Sequence, residues 1–495
     1  MSARALLLIA AGLALLATSP SPAAPSPLKR QSDSQVSVRV DGNRLFQAAF
    51  GPSPRDAVAT LDRLIGQTVD VPRLAVLHGL RGAALVGTRD IAAATKAFDT
   101  SNRLNPAQRL GDRMQFLAGI VRGRHDLSSL ALDSLLAAAP GLVRHLELRW
   151  VYTYFAHNRT TPRGRLDDQR IALAKIGFGG QDGVDITLKA IRILLARGQG
   201  AEALELVGHV DSLSAVQKAL VDRRFEPLWA ALARRAGERG TLVAAESIRK
   251  AQVEFDRSPT DSRKRRLLLA ALAESRRYAD ADRIGAGFAS NADQLAALDE
   301  YGGWVVNEHA RILLKMGRPA DSDRRFADLI RANSTKPWIV SMMINRAQLL
   351  SQTGRFEAAA ALLAETEAFA ARHGNPYSKQ LLRRVKLCTA AGLGRSAEIG
   401  ALLKAVKDHS SESQIATIEA LMCVGDQASA EKIILEMFND PDKAETLVVL
   451  LQRKPLDRDD PSTWAASWWS LRQSPAIDAA FSKAGRDLPE SYQAE

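Results

Sequence analysis

The sequence predicts an all-α fold, an α-solenoid of stacked antiparallel helix hairpins, and three observations carry that prediction. A short turn recurs between amphipathic stretches: Gly198-Gln-Gly-Ala-Glu-Ala203, Gly317-Arg-Pro-Ala320, Gly354-Arg-Phe-Glu-Ala-Ala359, Gly394-Arg-Ser-Ala-Glu398 and Gly425-Asp-Gln-Ala-Ser-Ala430. The spacings of 37, 40 and 31 residues from Gly317 to Gly354, Gly394 and Gly425 bracket one helical hairpin per repeat. Hydrophobic residues make up 46% of the 495 but aromatics only 5%, so Ala and Leu fill the interior, as closely packed helices require. Stacked repeats build an extended binding surface without naming its occupant.

Residues 1–23 read as a secretory signal: Arg4 gives the positive start, residues 5–17 the apolar run, and Ser21-Pro22-Ala23 a small-x-small site with cleavage after Ala23. That run is shorter than the roughly 20 residues that span a bilayer, so no transmembrane anchor is expected after cleavage. No cysteine follows it for lipid attachment. In residues 24–52, a Pro- and Ser-rich start gives way to Val36, Val38 and Val40, which alternate with polar residues up to Asp41-Gly42-Asn43, before Leu45 and Phe46. This reads as a mobile segment and one short β-hairpin clasping the first helices.

Residues 53–222 then form the first set of helical repeats, opened by Ser53 as a cap and Pro54 in the first turn. The glycines of residues 177–183 lack the GK[ST] of a phosphate loop and read as a helix-ending loop. Residues 222–229 interrupt the pattern with Pro227, and Phe225 and Trp229 are expected to plug the packing there. Residues 223–440 form the second set of repeats, with a single pair expected over 243–288. Residues 441–495 are expected to cap the array, Trp464 and Trp468 sharing one helix face; a sugar-stacking platform is the competing reading.

The clearest early pair spans 73–86 and 90–104, and within it Gly82, Ala94, Phe98 and Pro106 stand where tetratricopeptide repeats place two small packing residues, an aromatic and a closing proline. The chain resembles that family over most of residues 73–438. It departs from the pattern where Leu387 and Ile418 replace the small residue present as Ala310 and Ala347. The resemblance implies a right-handed superhelix whose first helices line a concave groove that binds protein or peptide. Positions six residues before each turn glycine, Arg311, Gln348, Cys388 and Glu419, and ten before, Asn307 and Arg384, would face it. Asn307, Arg311, Gln348 and Arg384 are the candidate partner-binding residues, since forked polar donors grip carboxylates and backbone.

The formal charge of +12 and the run Arg263, Lys264, Arg265 and Arg266 mark candidates for an anionic surface, although 50 Arg against 17 Lys also suits compositional bias. Export argues against nucleic acid. Cys388 and Cys423 lie six and two residues before their glycines, one helical turn out of register. With helix axes about 8–10 Å apart and a disulfide needing Cα atoms within about 7 Å, two buried thiols are expected. The eight histidines are scattered, with no HExxH or GxSxG motif, so no metal or cofactor is assigned. The expectation is a periplasmic or secreted, non-catalytic adaptor for an envelope protein. The alternatives are a binder of anionic envelope glycan and an enzyme with an unrecognised site.

Overall fold

The computed structural model describes residues 42–180, 182–456 and 464–492, and the signal segment and Val36 to Val40 lie outside them. Among the described residues there are helices and one isolated bridge, Asp222 with Gly485, but no strand. The expected return arm of the hairpin is helical: Leu45 and Phe46 belong to α1 (Gly42–Phe50), where the Phe46 and Phe50 rings stack 4.5 Å apart at their centroids. A residue four positions on shares a helix face, and the pair buries both rings in the core.

Two compact units divide the chain, Met1–Ile193 and Leu194–Glu495, so the boundary read at 222 falls inside the second. The first contains α1, α2 (Pro54–Gly66), α3 (Val71–Thr88), α4 (Ile91–Leu104), α5 (Leu110–Val121), α6 (His125–Ala138), α7 (Pro140–Val143), α8 (Leu148–His157) and α9 (Arg163–Lys175); α10 (Val184–Ala196) contains the boundary. Pro54 occupies the first turn of α2, but Ser53 makes no side-chain cap. Helices α3 and α4 pack as a pair, as do α5 and α6, and α3 also packs on α5. A Cβ at Gly82 would sit 2.5 Å from the Phe98 ring, so the glycine lets Phe98 bury fully between the paired helices. Gly177, Gly179 and Gly180 all have positive φ in the turn after α9, as a helix-ending loop demands.

The second unit contains α11 (Gly200–Leu206), α12 (Leu213–Val221), α13 (Trp229–Ala236), α14 (Thr241–Arg257), α15 (Ser262–Glu274), α16 (Tyr278–Ala286) and α17 (Ala292–Ala296). It continues with α18 (Glu300–Lys315), α19 (Pro319–Ala332), α20 (Ile339–Gln352), α21 (Phe356–His373), α22 (Pro376–Gly392), α23 (Ser396–Asp408), α24 (Gln414–Cys423) and α25 (Gln427–Phe438), then α26 (Pro441–Leu450), α27 (Trp464–Arg472) and α28 (Pro475–Ala484). The expected pair over 243–288 is three helices, because Asp261 caps a new helix one turn after α14 ends. From α18 to α25 the helices pack in consecutive pairs, and α18, α20, α22 and α24 also pack each on the next.

All five recurring turn glycines have φ between 66° and 74°, a region costing an L side chain about 1–2 kcal/mol. At each, the following amide returns to the carbonyl five residues back, as Arg355 does to Leu350 at 2.9 Å. This closes the helix and satisfies its last carbonyls.

The C-terminal residues reach back across the second unit. They join the start of their own unit, where Arg486 N donates to Val221 O (2.8 Å) and Arg486 Nε to Leu220 O (2.7 Å). Its guanidinium lies 3.3 Å from the Trp229 ring centroid. Arg223 Nε reaches Ser482 O (2.8 Å), Arg224 Nη1 reaches Pro441 O (2.6 Å), and the Tyr492 hydroxyl donates to Ala233 O (3.0 Å). Phe225 is buried as expected, while Trp229 serves this seam.

Candidate functional site

A groove of about 1240 Å³ opens inside the second unit, walled by α12, α14, α15, α18, α20, α22, α24, α26 and α27. Asn307, Arg311, Gln348, Arg384 and Glu419 all line it, so the four residues singled out in the sequence share one surface. The helices that carry them are set by local signals. Asp299 caps α18 by accepting from Gly302 N (2.8 Å), Asn375 caps α22 through Ser378 N (2.8 Å), and glycine turns close α18, α20, α22 and α24.

A polar line crosses these helices. Asn345 Nδ2 donates to Asn307 Oδ1 (2.8 Å). Arg384 then shares its guanidinium between Gln348 Oε1 and Glu419 Oε2. Arg384 and Glu419 are 6% and 8% exposed, so this is a buried pair already committed within the protein rather than a free fork awaiting a ligand. Arg311 differs: it is exposed to the groove and forms no ion pair among the described residues.

One turn beyond that pair, Cys388 and Cys423 form a disulfide with Cα atoms 5.1 Å apart, overturning the expectation of two free thiols. The reason is register. Arg384, ten before its glycine, meets Glu419, six before; Cys388, six before, meets Cys423, two before; and Gln348, six before, meets Arg384. Helix α22 is therefore offset by one turn from both neighbours, and the offset counted in the sequence as an obstacle is what brings the sulfurs together.

On another wall, Ser214 Oγ donates to Glu274 Oε1 (2.9 Å). Burial raises the Glu274 carboxyl above its ordinary value, against the nearby Lys218. Its surface is nonetheless accessible: it faces the groove, whose walls surround it and limit bulk water. His309 lies beside Glu308 in sequence but is buried, its Nε2 2.7 Å from Asp282 Oδ1 and its Nδ1 without a partner among the described residues. Burial lowers its pKa, against the pull of Asp282.

The run from Arg263 to Arg266 is not a free basic face, since all four residues are half-buried. Arg265 stacks on Phe255 and Phe288 at 4.8 and 4.9 Å and donates to Ile284 O and Pro259 O. Lys264 pairs with Glu254 at 3.3 Å, and Arg263 and Arg266 are likewise engaged. Among the tail tryptophans, Trp468 is 1% exposed and Arg472 lies over Trp469 at 5.3 Å. Only Trp464 combines partial exposure with a place on the groove.

Lys315 and Lys454 also line the groove and were not singled out in the sequence. Lys315 stands four residues after Arg311, so helical period alone would have placed it there. Lys454 lies four residues beyond the end of α26, whose Val449 and Leu450 also line the groove. Among the described residues, no group of His, Cys, Asp and Glu side chains could hold a metal ion, and no helix is long and apolar enough to cross a membrane. No protein-family model matches the chain, and no curated protein matches it.

Proposed function

We propose that this chain is an exported, non-catalytic adaptor of the bacterial cell envelope, a right-handed tetratricopeptide-like solenoid that holds a protein or peptide partner in its groove. The observation that carries the reading is the convergence of Asn307, Arg311, Gln348 and Arg384 on one cavity large enough for a peptide segment. The Gly82 and Phe98 packing and the five left-handed turn glycines support the family resemblance. The Cys388–Cys423 disulfide supports an oxidising compartment, in agreement with a cleaved signal and a periplasmic or secreted location.

Crosslinking in intact cells, followed by affinity purification and mass spectrometry, tests the reading. One defined envelope protein should be recovered with the wild type and lost with Arg311→Ala. Arg384→Ala is the wrong probe, because removing it strands Glu419 in a buried site. A second reading, binding of anionic envelope glycan, is favoured by Trp464 and by Tyr377, 56% exposed, on the same groove. Retention of cell-wall glycan with no protein partner would replace the first reading with the second.

A further inference from the structure

The groove has a strong charge bias that does not follow from its being a repeat surface. Among the described residues, eight Lys and Arg line it against three Glu. Arg384 and Glu419 cancel each other as a buried pair and Arg277 is paired with Asp280 just outside the lining, leaving six cations to two carboxylates. One of those carboxylates, Glu274, is raised by burial, which weakens its hold on negative charge. Arg311 on α18 and Lys454 beyond α26 are exposed to the groove, and neither pairs with an acid among the described residues. Cations gathered in a concavity with protein walls focus a positive potential more strongly than the same charges on a convex face.

Between those cations lies an amide-rich strip. Asn307 and Asn345 spend one group each on their mutual bond, and Gln348 spends its carbonyl on Arg384. Asn307 is itself 3% exposed, so the groups on half-buried side chains that are left without protein partners among the described residues are Asn345 Oδ1 and Gln348 Nε2. Such a set matches the alternating carbonyls and amides of an extended backbone. Aromatic stacking is the weaker resource, because Trp468 is buried in the core and Trp469 is covered by Arg472.

We propose that the groove receives an acidic peptide segment of the partner, its carboxylates drawn to Arg311 and Lys454 and its backbone laid along Asn345 and Gln348. This rests on the adaptor reading and names the chemistry of the partner. Fluorescence anisotropy with fluorescein-labelled octaglutamate tests it on the full mature chain at 50 and 300 mM NaCl. Octaglutamate should bind, lose affinity roughly tenfold or more at the higher salt, and lose at least about tenfold with Arg311→Glu combined with Lys454→Glu.

Arg324→Glu combined with Arg331→Glu, an equal double charge reversal on exposed side chains outside the groove, should leave binding within about twofold. Circular dichroism of each variant separates lost binding from lost folding. Equal loss with Arg324→Glu combined with Arg331→Glu would overturn the inference, since it would mean attraction to the whole basic chain. Octaglutamate failing while oligogalacturonate binds in a manner sensitive to Arg311→Glu would also overturn it and move the groove to anionic glycan. If cells yield an envelope protein lost with Arg311→Ala while octaglutamate does not bind, the acidic-segment inference falls and the adaptor reading stands.

Discussion

The run from α18 to α25 and the seam that joins α12 and α13 to the tail enclose the same groove but are held together by different physics. In the run, each helix meets a neighbour some 35 to 40 residues away through repeated devices: a left-handed glycine turn, a buried aliphatic stripe, and polar pairs such as Asn307 with Asn345. At the seam, arginine side chains cap backbone carbonyls across separations of 217 to 266 residues. The run is redundant, so one lost contact leaves others of its kind. The seam brings together distant chain segments whose loop-closure entropy must be met by a few strong contacts, and it should fail as a unit.

The sharpest exception within the run is the α22–α24 interface. It carries both the disulfide, whose 35-residue separation corresponds to about 3–4 kcal/mol in the chain-entropy account, and the buried Arg384–Glu419 pair. Arg384→Ala should cost about 3–5 kcal/mol by leaving Glu419 buried without its partner, the largest single effect expected. Arg384→Met with Glu419→Leu should recover most of that loss. Urea unfolding of the single and double variants measures both, and an Arg384→Ala chain as stable as wild type would mean that Glu419 turns to water at no cost.

At the seam, a Cβ on Gly485 would lie 2.5 Å from a Val448 methyl and 2.9 Å from the Val221 carbonyl oxygen. The backbone there is extended, so the constraint is space rather than dihedral strain. Gly485→Val should cost about 1–3 kcal/mol through overpacking. Limited proteolysis should then release the tail beyond α26 while α18–α25 stays protected. Simultaneous digestion of both would show that run and seam are one cooperative unit and that the contrast drawn between them is false.

A smaller effect tests the run's local devices. Gly354 has φ 73° with no atom near its missing Cβ, so Gly354→Ala meets strain but no clash. It should lower stability by about 1–2 kcal/mol and leave the tail as protease-resistant as before. Tail release in this variant would mean that the turns transmit strain to the seam.

This contrast also separates what the sequence made legible from what it hid. Turn glycines, caps and positions at fixed offsets are local, and the structure bears out the all-α class; Asn307, Arg311, Gln348 and Arg384 line one groove, while Cys388, read as inward by the same offsets, is not among its lining residues. What failed was the relation between elements. The disulfide was missed because the one-turn offset of α22 is set by packing between helices, not by anything within either helix. Arg384 looked like a free donor because its partner, Glu419, lies in the next repeat. The seam is invisible locally: nothing around Arg486 announces a Trp229 more than 250 residues earlier. The Leu45 and Phe46 arm was misread because a Gly-Asn pair suits a helix start as well as a turn when Phe46 and Phe50 can share a buried face.

The mildest test uses pH, because the run contains a buried histidine and the seam residues include none. His309 is held below its ordinary 6.5 chiefly by burial. It faces Asp282, which also pairs with Arg318 at 2.7 Å, and Arg325 adds a further positive charge nearby. A base whose pKa is depressed by folding takes its proton first in the unfolded chain. Stability is therefore fully present above the unfolded value of about 6.5 and fades as pH falls from there toward the lower folded value. Asp282 is depressed as well, but its effect belongs nearer pH 4, where the unfolded carboxylate protonates. Urea midpoints between pH 7 and pH 5 should fall for the wild type and stay flatter for His309→Gln, with tail proteolysis unchanged over the same range. An equal decline in both proteins would place the acid-sensitive group elsewhere and remove His309 as a marker of the run alone.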